Sequence, residues 1–341
     1  MRIATYNVEW FDALFGRDGQ PLLDGEWSRR HDVTRAQQLK AVAKVFTAMD
    51  ADAVMVIEAP DGSNRRDGVR ALENFAAHFG LRTRKALIGF QNDTQQEIAL
   101  LYDPDVMTAR HNPKGEQTGK KGSFDSPRFD SVFRRDLDVD ATPELITFSK
   151  PPLEVAAKTK TGSRFRMIGV HIKSKAPHGA HGAVEVMRKA IENRRKQMAQ
   201  CIWLRQRVEE HLDADEPVMV LGDFNDGPGL DEYEKLFGRS SVEIVLGEDG
   251  HESLFDPHAQ MILSRKLGAK PATSRFYIKR ENRYLSVLLD YIMVSADLND
   301  KQPCWRIWHP FEDPECYHMP ELREALLTAS DHFPVTIGID L

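Results

Sequence analysis

Apolar residues at Leu39, Val42, Val45, Phe46 and Met49 recur at three- and four-residue intervals and predict an amphipathic helix over 33–49. The run Ala53-Val54-Met55-Val56-Ile57 that follows is apolar at every position and reads as a buried strand ending at Glu58. A helix near Val69 to Phe79, an antiparallel set from Arg82 to Tyr102 and a long polar excursion over 104–128 come next. Strands near Leu145 to Phe148, Leu153 to Lys158 and Phe165 to Ile172 precede a long helix over Ala183 to Leu212, whose apolar stripe reads Met187, Ile191, Met198, Ile202, Val208 and Leu212. Val218 to Leu221 forms a wholly apolar strand entering Gly222-Asp223, and Gly227-Pro228-Gly229 turns the chain. After a loop-rich stretch, Phe276 to Ile278 and Tyr284 to Val294 read as a hairpin around Arg280-Glu281-Asn282. An irregular segment over 295–328 then leads to a last strand, Phe333 to Ile337.

Many strands with a few long helices suit an α/β (α+β) fold of two packed mixed sheets flanked by helices. Polar groups that close these strands span Asn7 to His332, so one domain over 1–341 is expected, with inserts near 104–128, 240–271 and 296–328. Across 341 residues, 41% hydrophobic content supports a large core, while a net charge of −6 excludes any global attraction for polyanions. Three cysteines without CxxC spacing fit neither a disulfide framework nor a thiolate zinc site. No leader-like segment and no apolar stretch near ~18 residues is present, so the expectation is a cytoplasmic protein with no membrane association and no evident obligate protein partner.

The strand-closing groups are Asn7 and Glu9, Glu58, Asp223 and Asn225, Asp290, and Ser330-Asp331-His332. Singly, each has a plainer reading: Asp-Phe-Asn is an Asx turn, Asn7 a buried amide, His171 or His332 a satisfied core histidine, and Asp290 the start of a hairpin. Together they form the pattern of a metal-dependent phosphoester hydrolase. Such hydrolysis needs roughly 20 kcal/mol removed from its barrier, which one positioned acid or base, contributing about 10²–10⁴-fold in rate, does not supply. Glu58, Asp331, Asn7 and Glu9 are hard oxygen donors, which points to Mg²⁺ or Mn²⁺, with Zn²⁺ the weaker fit. Asp290 is the carboxylate that would orient an imidazole base at His332.

The segments TYNVEW at 5–10, EIALLY at 97–102, GVHIKSK at 169–175, LGDFND at 221–226, LLDYIMVS at 288–295 and SDHFPV at 330–335, with the strand-terminal Glu58, resemble the endonuclease/exonuclease/phosphatase superfamily, the DNase I-like fold. The resemblance covers nearly the whole chain and implies a four-layer α/β sandwich. It implies Glu58 as principal metal ligand with Asn7, Glu9 and Asp331 around the metal and phosphate. Asp223 and Asn225 would contact the scissile phosphate or leaving oxygen, and His171 would stabilise the developing charge. His332, oriented by Asp290, would take a proton from an in-line water. Ile57 stands where the family usually has Gln before the glutamate.

The His-x-Lys-Ser-Lys form at 171–175 resembles the nuclease branches, which makes Lys173 and Lys175 candidate phosphate contacts, although a solvated strand exit reads equally well. Arg194 and Gln197 resemble the family's helical Arg-x-x-Gln, and Arg194 is expected to be a partly buried structural guanidinium. Basic residues over 110–135 and 188–196 could track a nucleic-acid backbone. Arg275, Phe276, Tyr277, Lys279 and Arg280 interleave cations with aromatics on which a base could stack, unless the rings turn into the core. The leading expectation is a nuclease or related phosphodiesterase acting on DNA or RNA. A phosphatase or small-molecule phosphodiesterase is the alternative, and a non-catalytic binding module is a third.

Overall fold

The computed structural model describes residues 1–341 except 63–65, 93, 95, 137–142, 178, 229–237, 248–252, 265–269 and 279–281. The expected turn residues Gly229, Arg280 and Glu281, the cations Lys279 and Arg280, and parts of the 240–271 insert therefore lie outside the described residues.

In chain order the strands are β1 (Arg2–Asn7), β2 (Ala53–Pro60), β3 (Lys85–Ile88), β4 (Gln96–Tyr102), β5 (Met107–His111), β6 (Phe133–Arg135), β7 (Glu144–Ile146) and β8 (Leu153–Thr159). They continue with β9 (Arg164–His171), β10 (Val218–Asp223), β11 (Ser274–Ile278), β12 (Arg283–Val287), β13 (Asp290–Val294), β14 (Cys304–Ile307) and β15 (Val335–Gly338). The longer helices are α1 (Arg35–Met49), α2 (Gly68–Phe79) and α3 (Ala183–Leu212), followed by α4 (Ser241–Leu246), α5 (Pro257–Leu263) and α6 (Pro320–Ala329).

One sheet has the order β14-β15-β1-β2-β4-β3 and the other β13-β10-β9-β8-β5. Alternation along each strand builds the layers. On β2, Ala53, Met55 and Ile57 face the second sheet, while Val54 and Val56 face α1, α2 and α6. On β10, Met219 and Leu221 meet that inter-sheet core, while Val218 and Val220 pack under α3, α4 and α5. The result is a four-layer sandwich, helix–sheet–sheet–helix, with a core on each side of each sheet.

Local signals account for the helix ends. Thr34 and Gln37 form a reciprocal capping box at the start of α1, and Gly80 closes α2 in the left-handed region. Among the described residues no helix is long and apolar enough to cross a membrane.

Four expectations require correction. The excursion over 104–128 contains β5, the edge strand of the second sheet. The segment over 295–328 is not irregular, since β14 forms an edge of the first sheet and α6 packs against α1. Tyr284 to Val294 is two strands: β12 pairs with β11, whereas β13 pairs with β10. The α3 stripe holds from Met198 to Leu212, where Met198, Ile202, Val208 and Leu212 pack on the core, but it fails at the N-terminal end and is only part of the buried face. Met187 is exposed, and the buried face includes Asn193, Arg194, Gln197, Gln200, Trp203, Leu204, Arg207 and Val208. That face is largely polar because it supports loop backbone rather than only apolar core, and hydrophobic periodicity does not register such a surface.

Candidate active site

Register delivers the candidate side chains to one end of the sandwich. In the first sheet β1 runs parallel to β2, with Asn7 beside Ile57, and antiparallel to β15, with Thr5 beside Val335. The C-terminal ends of β1 and β2 and the residues leading into β15 therefore share an edge. In the second sheet Asp223 lies beside His171 on parallel β9 and beside Asp290 on antiparallel β13. The sheets are stitched together there by Asn7 Nδ2, which donates to Asp223 Oδ2 at 3.0 Å.

His332 Nδ1 and Asp290 Oδ2 are 2.8 Å apart, both side chains are buried, and the Phe276 ring packs against the imidazole at 5.5 Å. Thr273 Oγ1 accepts from the backbone N–H groups of Leu289 and Asp290, each at 3.0 Å, which fixes the start of β13. Burial disfavours the imidazolium, but Asp290, followed by Asp223 and Asp331, outweighs it and holds the His332 pKa well above its ordinary value.

Asp223 takes the backbone N–H of Asn225 on Oδ1 at 2.7 Å, and Asn225 Nδ2 lies 3.2 Å from Oδ2. The Asx turn expected as the plainer reading is thus present and serves to aim Asn225, whose φ is +51°. Burial raises the Asp223 carboxyl against the opposing charge of His332. His171 Nε2 is 3.7 Å from Asp223 Oδ2, and its Nδ1 faces Lys150 Nζ at 3.2 Å. An ammonium has only protons to offer, so Nδ1 accepts and the ring proton sits on Nε2. Burial and then Lys150 lower the His171 pKa well below its ordinary value, which keeps this ring neutral.

Glu58 sits in a β-bulge between Ile57 and Ala59 at φ +64°, so its side chain leaves the alternation of β2. Its Oε2 accepts from the Trp10 N–H at 2.9 Å and from Gln96 Nε2 at 2.7 Å. Gln96 thus holds Glu58 from across the strand pair, and its Oε1 in turn accepts from Lys150 Nζ at 2.7 Å. Glu9 pairs with Arg30, and its N–H donates to Ser330 Oγ at 3.1 Å. Burial raises the Glu9 carboxyl and Asp331 raises it further, with Arg30 opposing and Glu58 adding to the rise. The Asn7 Oδ1 atom is buried without a hydrogen-bond partner among the described residues.

Among the described residues, Asp223, Asp290 and His332 offer one ligand atom each within 4.8 Å of one another, close enough to hold a cation. That group contains its own counter-charge, because its carboxylates raise the His332 pKa. Glu58, Glu9 and Asp331 do not converge as tightly, and what links them is charge, since Asp331 and Glu58 both raise the Glu9 carboxyl.

The lysines at 173 and 175 part company. Lys175 Nζ binds Asp226 at 2.6 Å, and this fully buried carboxylate is also held by Arg194 Nη1 at 2.6 Å and by the Ser241 N–H at 2.8 Å. The expectation that Lys175 is a phosphate contact gives way to a role in fixing the 221–226 loop, which Gln197 completes by donating to the carbonyls of Lys173 and Asn225, each at 3.0 Å. The structural expectation for Arg194 agrees with this geometry. The Lys173 ammonium has no carboxylate partner among the described residues, and burial, then Lys196 and Lys189, lower its pKa.

Sequence reasoning missed Lys150, Gln96 and Arg30. Gln96 was detectable, since it precedes the recognised segment at 97–102. Lys150 and Arg30 are isolated basic residues in loops and carry no local signal.

The profile of the Endonuclease/Exonuclease/phosphatase family matches residues 4–332. No curated protein matches the chain. Among solved structures, an AP endonuclease from Archaeoglobus fulgidus is similar at 13% identity and TM-score 0.51, over 100% of both chains. TDP2 from Caenorhabditis elegans is similar at 15% identity and TM-score 0.50, over 98% of this chain and 74% of that one. An endonuclease/exonuclease/phosphatase family protein from Bacteroides thetaiotaomicron is similar at 15% identity and TM-score 0.50, over 99% of this chain and 93% of that one. At these identities the likeness to solved structures concerns the fold.

Proposed function

The chain belongs to the endonuclease/exonuclease/phosphatase family, whose members hydrolyse phosphoester bonds, and from that premise we propose that it is a divalent-cation-dependent phosphodiesterase of nuclease type. The observation that carries the reading is the buried His332–Asp290 pair, in one cluster with Asp223 and Asn7.

In this reading Glu58, with Glu9, Asp331 and Asn7 Oδ1, holds Mg²⁺ or Mn²⁺. The donors fit such an ion: all are oxygens, Glu9 is raised by burial and by the like charge of Asp331, and Asn7 Oδ1 is a buried acceptor without a partner. When bound, the cation supplies charge neutralisation at the phosphoryl oxygens and offsets the carboxylate field on His332.

The chain's own residues do the rest. Asp290 engages His332 Nδ1 and leaves Nε2 as the nitrogen that accepts a proton from the attacking water, so His332 must lose its proton before each turnover. His171, neutral and carrying its proton on Nε2, donates to a phosphoryl oxygen as negative charge grows there. Asp223 and Asn225 face the scissile phosphate and the leaving oxygen. Support for a nucleic-acid strand comes from Lys173, Lys189 and Lys196, neighbouring ammonium groups without a carboxylate partner among the described residues.

The test is a panel of plasmid, single-stranded DNA, RNA, a chromogenic phosphodiester and a chromogenic phosphomonoester, each with Mg²⁺ or EDTA. Cleavage of diesters with Mg²⁺ and none in EDTA is expected, whereas turnover confined to the monoester would make the protein a phosphatase. His332→Ala and Asp223→Ala should each lower kcat at least ~10²-fold with unchanged circular dichroism. A near-normal kcat in either variant would remove that residue from its role.

A further inference from the structure

The β11–β12 hairpin carries a surface that the hydrolytic machinery does not use. Tyr277 pairs with Tyr284 and Arg275 with Ser286 across the two strands, so Arg275, Tyr277 and Tyr284 share one face. Phe276, on the opposite face, is the ring that packs on His332. The hairpin thus divides its aromatics, one against the catalytic imidazole and two outward.

The outward rings remain substantially exposed, Tyr277 at 52% and Tyr284 at 53%, and Phe311 joins them at 44% from the loop after β14. Arg275 binds them together: its Cζ lies 3.8 Å from the Tyr284 centroid and 5.3 Å from that of Phe311. The Tyr277 and Tyr284 centroids are 5.1 Å apart.

This guanidinium has no carboxylate and no hydrogen-bond acceptor among the described residues. Its five N–H donors, held over aromatic rings, are therefore available to an incoming anion. The position is fixed close to the reaction. Ser274 bridges to His332, and the Arg275 N–H donates to the Asp331 carbonyl at 2.8 Å. A cation flanked by exposed aromatics and tied to the strand beside the catalytic histidine matches a nucleotide, which has one phosphate and one flat base per repeat.

We propose that Arg275, Tyr284 and Phe311 form a nucleotide subsite next to the reaction centre, in which Arg275 binds the phosphate flanking the scissile one and the rings stack the unpaired base of that nucleotide. The ligand class is a single-stranded nucleic acid. The inference rests on the phosphodiesterase reading for its place beside the scissile bond, but binding to the subsite is measurable without turnover.

The probe is a short single-stranded DNA carrying 2-aminopurine, titrated into the full-length protein in EDTA, beside a base-free tetrahydrofuran-phosphate strand of equal length. Wild type should quench the 2-aminopurine, and Phe311→Ala and Tyr284→Ala should raise Kd about tenfold or more for the base-bearing strand, with a smaller change for the base-free one. Arg275→Ala should weaken both strands and lower the salt dependence of log K by roughly 0.7, the share of one phosphate on a single strand. Unchanged affinities in all three variants, with wild-type circular dichroism, would overturn the subsite. So would a wild type that neither binds nor quenches either strand. Quenching as expected from a protein inert toward every phosphoester in the panel would instead retain the subsite and remove the hydrolase reading.

Discussion

At the residue scale, the chemistry depends on which proton each buried group carries. Lys150 sets that for His171, because its ammonium faces Nδ1 and its charge opposes a second ring proton. Lys150→Met should let the His171 ring sample both tautomers and titrate at higher pH, with kcat falling roughly tenfold or more as the Nε2–H donor is lost part of the time. Imidazole nitrogen NMR reads this directly, and an unchanged Nε2–H tautomer in the variant would sink the assignment. Glu97 tests the same physics away from the reacting atoms. Burial pushes its carboxyl up to about 8, although Asn92 Nδ2 donates to it at 2.6 Å. The folded chain therefore keeps a proton that the unfolded chain loses near pH ~4.3, so this group's contribution to stability falls as pH rises through the window between the two values. Glu97→Gln removes that dependence, and its Tm relative to wild type should climb between pH 5 and 9. A difference constant across that range would contradict the shift. The histidines, carboxylates and amides of the site were legible because each closes an apolar run. Lys150 was not, since a lone lysine before Pro151-Pro152 belongs to no period and no motif.

At the element scale, the site is aimed by departures from regular structure. Glu58 occupies the left-handed region inside a bulge, where a side chain with a Cβ is strained and glycine is not. Glu58→Gly should accordingly be more stable than Glu58→Ala by about 0.5–1 kcal/mol in urea unfolding, and equal stability of the two would argue against the bulge. Gly222, at φ +142°, illustrates the opposite case: a Cβ there would meet the Val170 carbonyl oxygen at 2.0 Å, so only glycine permits β9 and β10 to approach beside Asp223. Hydrophobic patterning located β2, β10 and the limits of α3 because their apolar runs are long and continuous. It misread the buried face of α3, where Gln197 and Gln200 donate to the carbonyls of the loops around the site, and it passed over β5 and β14, short edge strands whose half-exposed residues resemble loop.

At the scale of the whole molecule, the two ends of the chain meet because β1 lies between β2 and β15, which places Asn7, Glu58 and His332 on one edge, while β9, β10 and β13 bring His171, Asp223 and Asp290 to the facing edge. That the groups belong together was readable from their order along the sequence. Which strands neighbour one another was not, because pairing is decided by non-local packing of faces such as Met55 and Ile57 against Met167 and Leu221 in the shared core. We propose that these distant segments build one cation site on the Glu58 side of the cluster, with His332 and Asp290 kept for proton transfer. Calorimetric titration of Mn²⁺ into wild type, Glu58→Gln and Asp290→Asn tests it most directly. Binding should weaken at least about tenfold in Glu58→Gln and stay close to wild type in Asp290→Asn. Binding preserved in Glu58→Gln but lost in Asp290→Asn would place the ion among Asp223, Asp290 and His332 and contradict the account.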